Sequence, residues 1–530
     1  MKQIRLLAFV MLCLFGFSVN AQDFEPRVAP ESPNPVIDEE ALAQIDKTPQ
    51  EFVVGEYYVI YNVGTQKYFS QGNNWGTRAS IDAKHPLVVQ FTLPSGKSLE
   101  DNALLLNDYC LYNKAWKNAF FDSETAIFVD RGSQANYFWQ VVPVGNKTYR
   151  LQASPANPAL NPTAYPNKFV GRDESVAQDL GNNQGSRNVN LEALPLSPFI
   201  EAKAGNHVDW QFFNAPGWKE YAAQKVLFDK SEELRIAIEK GMDAGVDENI
   251  LSNAIEVYNN LESTVEEMDA QIMAIMKAIN GEVGDGATAS DPVDVTADLL
   301  VNADYENGNN DGWKGDAPAI NFSALNAEFF NKSYTYFQPL QGIRNGVYSL
   351  SVRGYYRVGS TQNSYNEFPL RSNLNAKLMA QTAAGEVHFP IANIFAGAAE
   401  EDVAGSGSAN INDEIFVPNS MVAAASYFDE DINENAANYD NTLFFVVTDG
   451  VANVGMRKDK TIDNDWTLFD NWTLNYYGNE ADAYQLMFTS TKEAYQLPED
   501  GYVVTRAYLE AFNSAAPAGS DASGLLGLQT

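Results

Sequence analysis

The chain has 530 residues, 45% hydrophobic and 12% aromatic. That is too long for one ordinary core and too apolar for disorder, so two to four domains are expected. Asp and Glu number 69 against 35 Lys and Arg, a net charge of -34, which repels nucleic acid, anionic lipid headgroups and strongly anionic polysaccharides.

Residues 1–21 carry Lys2 and Arg5, an apolar run over 6–17, and Val19-Asn20-Ala21. These are the charged region, apolar region and small-residue cleavage site of a signal peptide cut after Ala21. The run is too short to anchor in a bilayer, and no later stretch is apolar enough to cross one. Met11 and Leu12 before Cys13 are not the small residues of a lipoprotein cleavage site. An exported soluble chain is therefore expected. After cleavage Cys110 is the one cysteine left, so no intrachain disulfide can form. Its surroundings, LLLNDYCLYN, mark it as a small buried hydrophobe. Residues 22–50, rich in Pro, Glu and Ala, read as an exposed leader.

Residues 51–214 alternate like short strands separated by turns: EYYVIYNV, LVVQFTL, AIFVD, YFWQVVPV, TYRLQA, VNLEAL, VDWQFFN. Gln90-Phe91, Trp139-Gln140-Val141 and Trp210-Gln211-Phe212 each close a block of strands, which points to threefold internal repetition. The opening, YYVIYNVGTQKYFSQGNNWGTRASI, resembles the first repeat of ricin-like β-trefoil domains. The resemblance implies a trefoil and a sugar site that pairs an aromatic with an acid. The turn at SQGNNWGTR offers Asn73, Asn74 and Trp75, but no acid before Asp82.

Residues 217–280 switch to helical spacing, with apolar residues at Leu251, Ile255, Tyr258, Leu261, Val265, Met268, Ile272, Ile275 and Ile279. Asp247 is placed to cap a helix and Gly281 to end one, which predicts a two-helix hairpin. Residues 281–293, rich in Gly, Ala, Ser and Asp, read as a linker. A second strand-rich block, 294–478, holds GVYSLSVRGYYRVG, NTLFFVVTDGVANVGMRK and DWTLFDNWTLNYYG, and a loop-rich section, 359–440, interrupts it. This predicts an antiparallel jelly-roll sandwich. Residues 479–530 read as a helical tail with a frayed end. The fold class is thus multidomain and mainly β with helical linkers: β-trefoil-like domain, helical hairpin, jelly-roll β-sandwich, C-terminal helical segment.

No catalytic constellation is present. His85, His207 and His388 stand apart; there is no His-Glu-x-x-His spacing, phosphate-binding loop or nucleophile elbow. The chain is read as a non-enzyme. Strict alternation in Trp466, Leu468, Asp470, Trp472, Leu474 and Tyr476 would put one acid on an apolar face. First and last strands of a jelly roll are neighbours, so Glu306 and Asp470 are expected to approach, and a structural calcium ion between them would relieve their repulsion. A cap on a turn is the alternative role for Asp470.

VNADYENGNNDGW, AEFFNKSYTYFQPLQGIRNGVYSLSVRGYYR, VPNSMVAAASYF and DGVANVGMRKDKTIDNDWTLFDNWTLNYYG resemble the galactose-binding-like sandwich of exported Bacteroidetes proteins, a fold shared with many carbohydrate-binding modules. The resemblance implies a jelly roll, a rim calcium and in some members a glycan site, placed at the surface or outside a Gram-negative cell, or in its periplasm. Aromatic rings meet the C–H faces of sugars; Asn, Asp and Arg meet their hydroxyls. The candidates are Trp466, Asn464, Asp465, Trp313, Arg357, Trp75 and Asn74, with Asn331, Tyr334 and Tyr336 also in loops and Tyr336 and Trp472 expected in the core. The expected function is carbohydrate binding through β-modules. The alternatives are a structural or adhesive surface protein that binds proteins, and the accessory region of a glycoside hydrolase system.

Overall fold

The structure, a computed structural model, describes residues 26–73, 77–94, 97–111, 113–122, 126–130, 137–157, 167–177, 193–368, 375–383 and 385–495. The expected signal peptide, residues 1–21, lies outside them. Two compact units result: residues 29–226, and residues from 227 onward together with the stretch before residue 29.

In the first unit six strands close a barrel. Tyr57–Asn62, Val89–Thr92, Leu104–Cys110, Phe138–Gly145, Thr148–Ala153 and Asp209–Asn214 pair each with the next, and the last returns to pair with the first. Each repeat gives its first and last strands to the barrel. Between them lie hairpins: Lys67–Asn73 with Arg78–Asp82, Phe120–Asp122 with Ala126–Phe128, and Lys168–Asp173 with Ser197–Glu201. This is the trefoil arrangement, and closure removes the exposed sheet edges that a flat sheet would carry.

The recurring glutamine has a shared role. Gln90 Nε2 donates to Gly55 O (2.7 Å), Gln140 Nε2 to Asn102 Oδ1 (2.6 Å) and Gln211 Nε2 to Thr148 Oγ1 (3.3 Å). Each ties the last barrel strand of a repeat to the start of its first. Cross-strand register aligns Trp139 and Trp210 with Val89 rather than with Phe91. Both indoles are buried and donate to carbonyls, Trp139 Nε1 to Ala119 O (3.1 Å) and Trp210 Nε1 to Val170 O (2.9 Å). Cys110 is buried, as its surroundings predict.

The leader reading is corrected from residue 29 onward. Asp38 caps the short helix Glu39–Ala43, and Ile37 and Ile45 are buried among Val59, Tyr68, Val88, Phe213 and Trp218. Gln50 N donates to Phe212 O at 2.9 Å. Two buried isoleucines in a Pro- and Glu-rich stretch are enough to tie it down.

The second unit contains three helices where a two-helix hairpin is predicted: Trp218–Ala244, whose first turns belong to the other unit, then Glu248–Asn259 and Val265–Asn280. The stripe breaks at Leu261, which is 76% exposed, and Thr264 restarts the helix with a capping box to Glu267. Leu234, Ile238, Leu251, Tyr258, Met268, Ile272 and Ile275 form the helical core. The 281–293 stretch is packed rather than a free linker. Val283, Ala287 and Val293 lie against the sandwich core, and Asp285 pairs with Arg344 at 2.9 Å.

The sandwich has two antiparallel sheets. One runs Ala319–Ile320, Ala327–Phe330, Trp466–Tyr476, Gly346–Arg357, Asp440–Val447, with Val293–Asp294 paired to the far end of the closing strand. The other runs Lys314–Gly315, Tyr334–Gln341, Val451–Lys458, Ala376–Thr382, Gly385–Pro390. Tyr348, Leu350, Val352, Phe445, Trp472 and Leu474 meet Tyr336, Leu340, Leu378, Val454 and Met456 between them. The 359–440 insertion is more structured than its sequence reads. Its helix Met421–Phe428 and strand Ile415–Pro418 build a second cluster with Tyr355, Trp466 and Leu468.

The closing strand changes face halfway. Pairing with the neighbouring strand shifts register between Ser351↔Thr473 and Arg353↔Asp470, and Asn471 takes a left-handed φ of 52°. This bulge inverts the alternation. Phe469, Trp472, Leu474 and Tyr476 face the inter-sheet core, whereas Trp466 and Leu468 face the insertion. Asp470 therefore shares the outer face with Trp466 and does not point into the core.

The helix Ala481–Tyr495 adds Ala483, Tyr484 and Met487 to the sandwich core. The rest of the predicted tail lies outside the described residues.

Candidate functional site

The outer face of the first sheet carries a row of opposed residues on three adjacent strands. Phe330 lies across from Trp466, and Trp466 lies across from Arg357. Glu328 follows on the same face two residues before Phe330. The start of the Met421–Phe428 helix stands above this row, and a cleft of about 370 Å³ opens between them. That volume is within the range of small-ligand pockets. Asn321, Asn419, Ser420, Met421 and Val422 complete the lining.

Trp466 is only 4% exposed and forms the inner wall. Its Nε1 donates to Glu328 Oε2 at 2.6 Å, and the Arg357 guanidinium lies 5.0 Å from its ring centre. Arg357 Nη1 donates to Asn419 Oδ1 (3.5 Å) and Nη2 to Asn464 O (3.3 Å). Burial lowers the guanidinium's proton affinity, while Tyr355, Asp465 and Glu328 act the other way. Phe330, 50% exposed, presents the accessible ring. Ser420 caps the helix by accepting from Ala423 N at 3.0 Å.

The structure sorts the sequence candidates. Trp466 and Arg357 line the cleft, and Asn464 touches Arg357 through its carbonyl. Asp465 is not a ligand group: it is fully buried and paired with the equally buried Lys458 at 2.5 Å. Trp313 is also corrected. It stacks on Tyr336 with ring centres 4.6 Å apart in the sandwich core, and Tyr334 is buried there too. Asn331 sits in a left-handed turn, its amide donating to Asp465 O at 2.9 Å. Trp75 and Asn74 lie outside the described residues.

Phe330, Glu328, Asn419 and Ser420 were not singled out by sequence reasoning. Phe330 alternates with the buried Phe329 in AEFFNK, so the exposed member of the pair follows from period two once that strand is recognised. Asn419 and Ser420 sit 91 and 92 residues beyond Glu328, and only the fold joins them.

The expected acid pair is revised. Burial raises Asp470 to a pKa of about 7; Asp304, not Glu306, adds to the rise, against the Asn471 amide and Arg353. Glu306 lines a separate cleft of about 560 Å³ with Asp294, Asn302 and Asp304. Among the described residues no three His, Cys, Asp or Glu side chains gather as metal ligands. Two carboxylates fall short of the six to eight oxygens calcium takes, so backbone carbonyls or water would have to supply the rest.

No protein-family model and no curated protein matches the chain. Solved structures similar to it include a lysenin pore (8% identity, 32% of this chain and 50% of that chain, TM-score 0.21) and a GH43 β-1,3-galactosidase (14% identity, 34% and 34%, TM-score 0.22). A third is the Macrolepiota procera ricin B-like lectin in complex with lactose (12% identity, 32% and 100%, TM-score 0.20). The chain spans about half of the first and a third of the second. The fold assignment stands on the strand pairings themselves.

Proposed function

We propose that this chain is an exported, non-catalytic carbohydrate-binding protein and that the Phe330–Trp466–Arg357 cleft is its glycan site. The carrying observation is the juxtaposition in one cleft of an exposed ring and flanking polar groups. Phe330 offers a flat face to sugar C–H groups, and Arg357, Glu328, Asn419 and Ser420 offer donors and acceptors to hydroxyls. The test is a glycan array followed by titration calorimetry on the full chain and on Phe330→Ala. Because Phe330 is half exposed, the variant should keep its fold and lose binding at least about tenfold. Unchanged binding by the variant would move the site elsewhere.

A second reading rests on exposed apolar residues. Phe322 is 79% exposed and Val422 58%, which suits an adhesive protein contact in place of a sugar. Failure of every glycan to bind would favour it. A calcium ion between Asp304 and Asp470 belongs to the same proposal. Added calcium should raise the unfolding midpoint and chelator lower it; an identical midpoint in both would remove the ion.

A further inference from the structure

We infer that the cleft takes a sugar bearing a single anionic substituent, a carboxylate above all, held between the Arg357 guanidinium and the first turn of the Met421–Phe428 helix. The inference rests on the glycan reading and narrows it.

Acids outnumber bases about two to one in this chain, yet Arg357 has no ion-pair contact among the described residues; the Glu328 and Asp465 carboxylates act on it only from farther off. Its two contacts are long and run from Nη1 and Nη2 to uncharged oxygens, which leaves further N–H donors on those two nitrogens; Nε is buried. A cation–π contact, 5.0 Å from the guanidinium carbon to the Trp466 ring centre, holds the fork at the cleft wall. A planar carboxylate accepts two parallel N–H bonds from such a fork, which a hydroxyl cannot do.

The facing wall agrees. Met421 and Val422 line the cleft as the first residues of the helix. Ser420 satisfies the amide of Ala423, leaving the Met421 and Val422 amides without an intrahelical acceptor, and no acid occupies the first turn. An anion there meets two unpaired donors and the positive end of the helix dipole. Glu328, the one acid among the lining residues, keeps its charge when it accepts from the neutral indole N–H, so the anion is seated on the side of Arg357 and the helix. Beneath, Tyr355 is fully buried with an unpartnered hydroxyl, and its electrostatic neighbours include both Arg357 and Glu328. The chain's charge of -34 repels long polyanions, but one charge seated in the cleft responds chiefly to these near groups.

The experiment titrates the full chain with methyl galactoside, methyl galactosiduronic acid and galactose 6-sulfate, then repeats the series with Arg357→Gln and Arg357→Lys, all checked for an unchanged unfolding midpoint. The uronate should bind at least about tenfold tighter than the neutral sugar. Arg357→Gln should abolish that preference, costing the uronate at least about tenfold more affinity than the neutral sugar, and Arg357→Lys should fall between, because it keeps the charge without the fork. Tighter binding of the sulfate than the uronate would overturn the carboxylate assignment. Equal binding of neutral and acidic sugars, lost together in Arg357→Gln, would overturn the inference and leave the glycan site standing. No binding of any of the three to wild type, with other glycans bound on an array, would also overturn it; silence across the array as well would remove the glycan reading itself.

Discussion

Lys458 and Asp465 bracket the loop that leads into the closing strand, and both side chains are 0% exposed. The ammonium touches one carboxylate oxygen at 2.5 Å, and the other oxygen has no hydrogen-bond partner. Tyr334 and Tyr356 rings lie 5.9 and 5.7 Å from Nζ. Asp465→Asn keeps the size and an acceptor for the Ile462 amide, now bonded at 2.9 Å, but removes the charge. A buried ammonium without its counter-ion costs about 3–5 kcal/mol. The upper bound is the cost of deprotonating it instead: at about 1.36 kcal/mol per pH unit below a free lysine near 10.4, roughly 4–5 kcal/mol at pH 7 and about 2 at pH 9.

Burial already holds Lys458 below the usual lysine range, with Asp465 opposing the shift. In the variant that opposition is gone, so the unfolded state binds more protons than the folded one, and stability rises with pH up to the unfolded pKa. The deficit against wild type should therefore shrink from pH 7 to pH 9. Calorimetry that resolves the sandwich transition measures it, because chains with more than one compact unit depart from two-state unfolding. Replacing both residues, Lys458→Met with Asp465→Leu, should return to within about 1.5 kcal/mol of wild type. A deficit under about 1 kcal/mol for Asp465→Asn, or one constant over this pH range, would mean that water reaches the pair and that the desolvation reasoning is wrong.

Asp470→Asn should stabilise the chain by about 1 kcal/mol above pH 7 in chelator, a figure discounted for its partial exposure. Because its folded pKa is raised to about 7, wild type should lose stability as pH climbs from about 4 to 7, and the variant should lose less; parallel pH curves would refute this. Gly455→Ala would put a Cβ 2.1 Å from Tyr336 O on the paired strand, and denaturation should show a loss of about 2–3 kcal/mol. Trp210→Phe removes the donor to Val170 O inside the trefoil core and should cost about 1–3 kcal/mol, with no change in glycan affinity.

Much of the architecture was legible because its signals are local. The glutamine strands at 90, 140 and 211 announce three repeats, and alternation places most core residues of the sandwich. What escaped was decided by context. The bulge at Asn471 inverts a face with no proline or glycine to announce it. Two isoleucines override the composition of the leader, and a single exposed leucine splits one predicted helix into two. In the site, Trp466 and Arg357 were visible as residue types with the right chemistry. Asp465 and Trp313 look the same in sequence, and only packing shows that one is consumed by a lysine and the other by a tyrosine.

The Trp466–Tyr476 strand lies inside its sheet, between partners that begin at residues 327 and 346. The two partners cannot be joined across the middle of that sheet until residues 466–469 have been synthesised, and the longer pairing is complete only at residue 476. The sandwich is therefore a late-maturing body, its first half held waiting for its last, and such long-range closure makes for slow folding. Truncations that stop short of residue 466 should yield chains that collapse without ever forming the cleft beside Phe330.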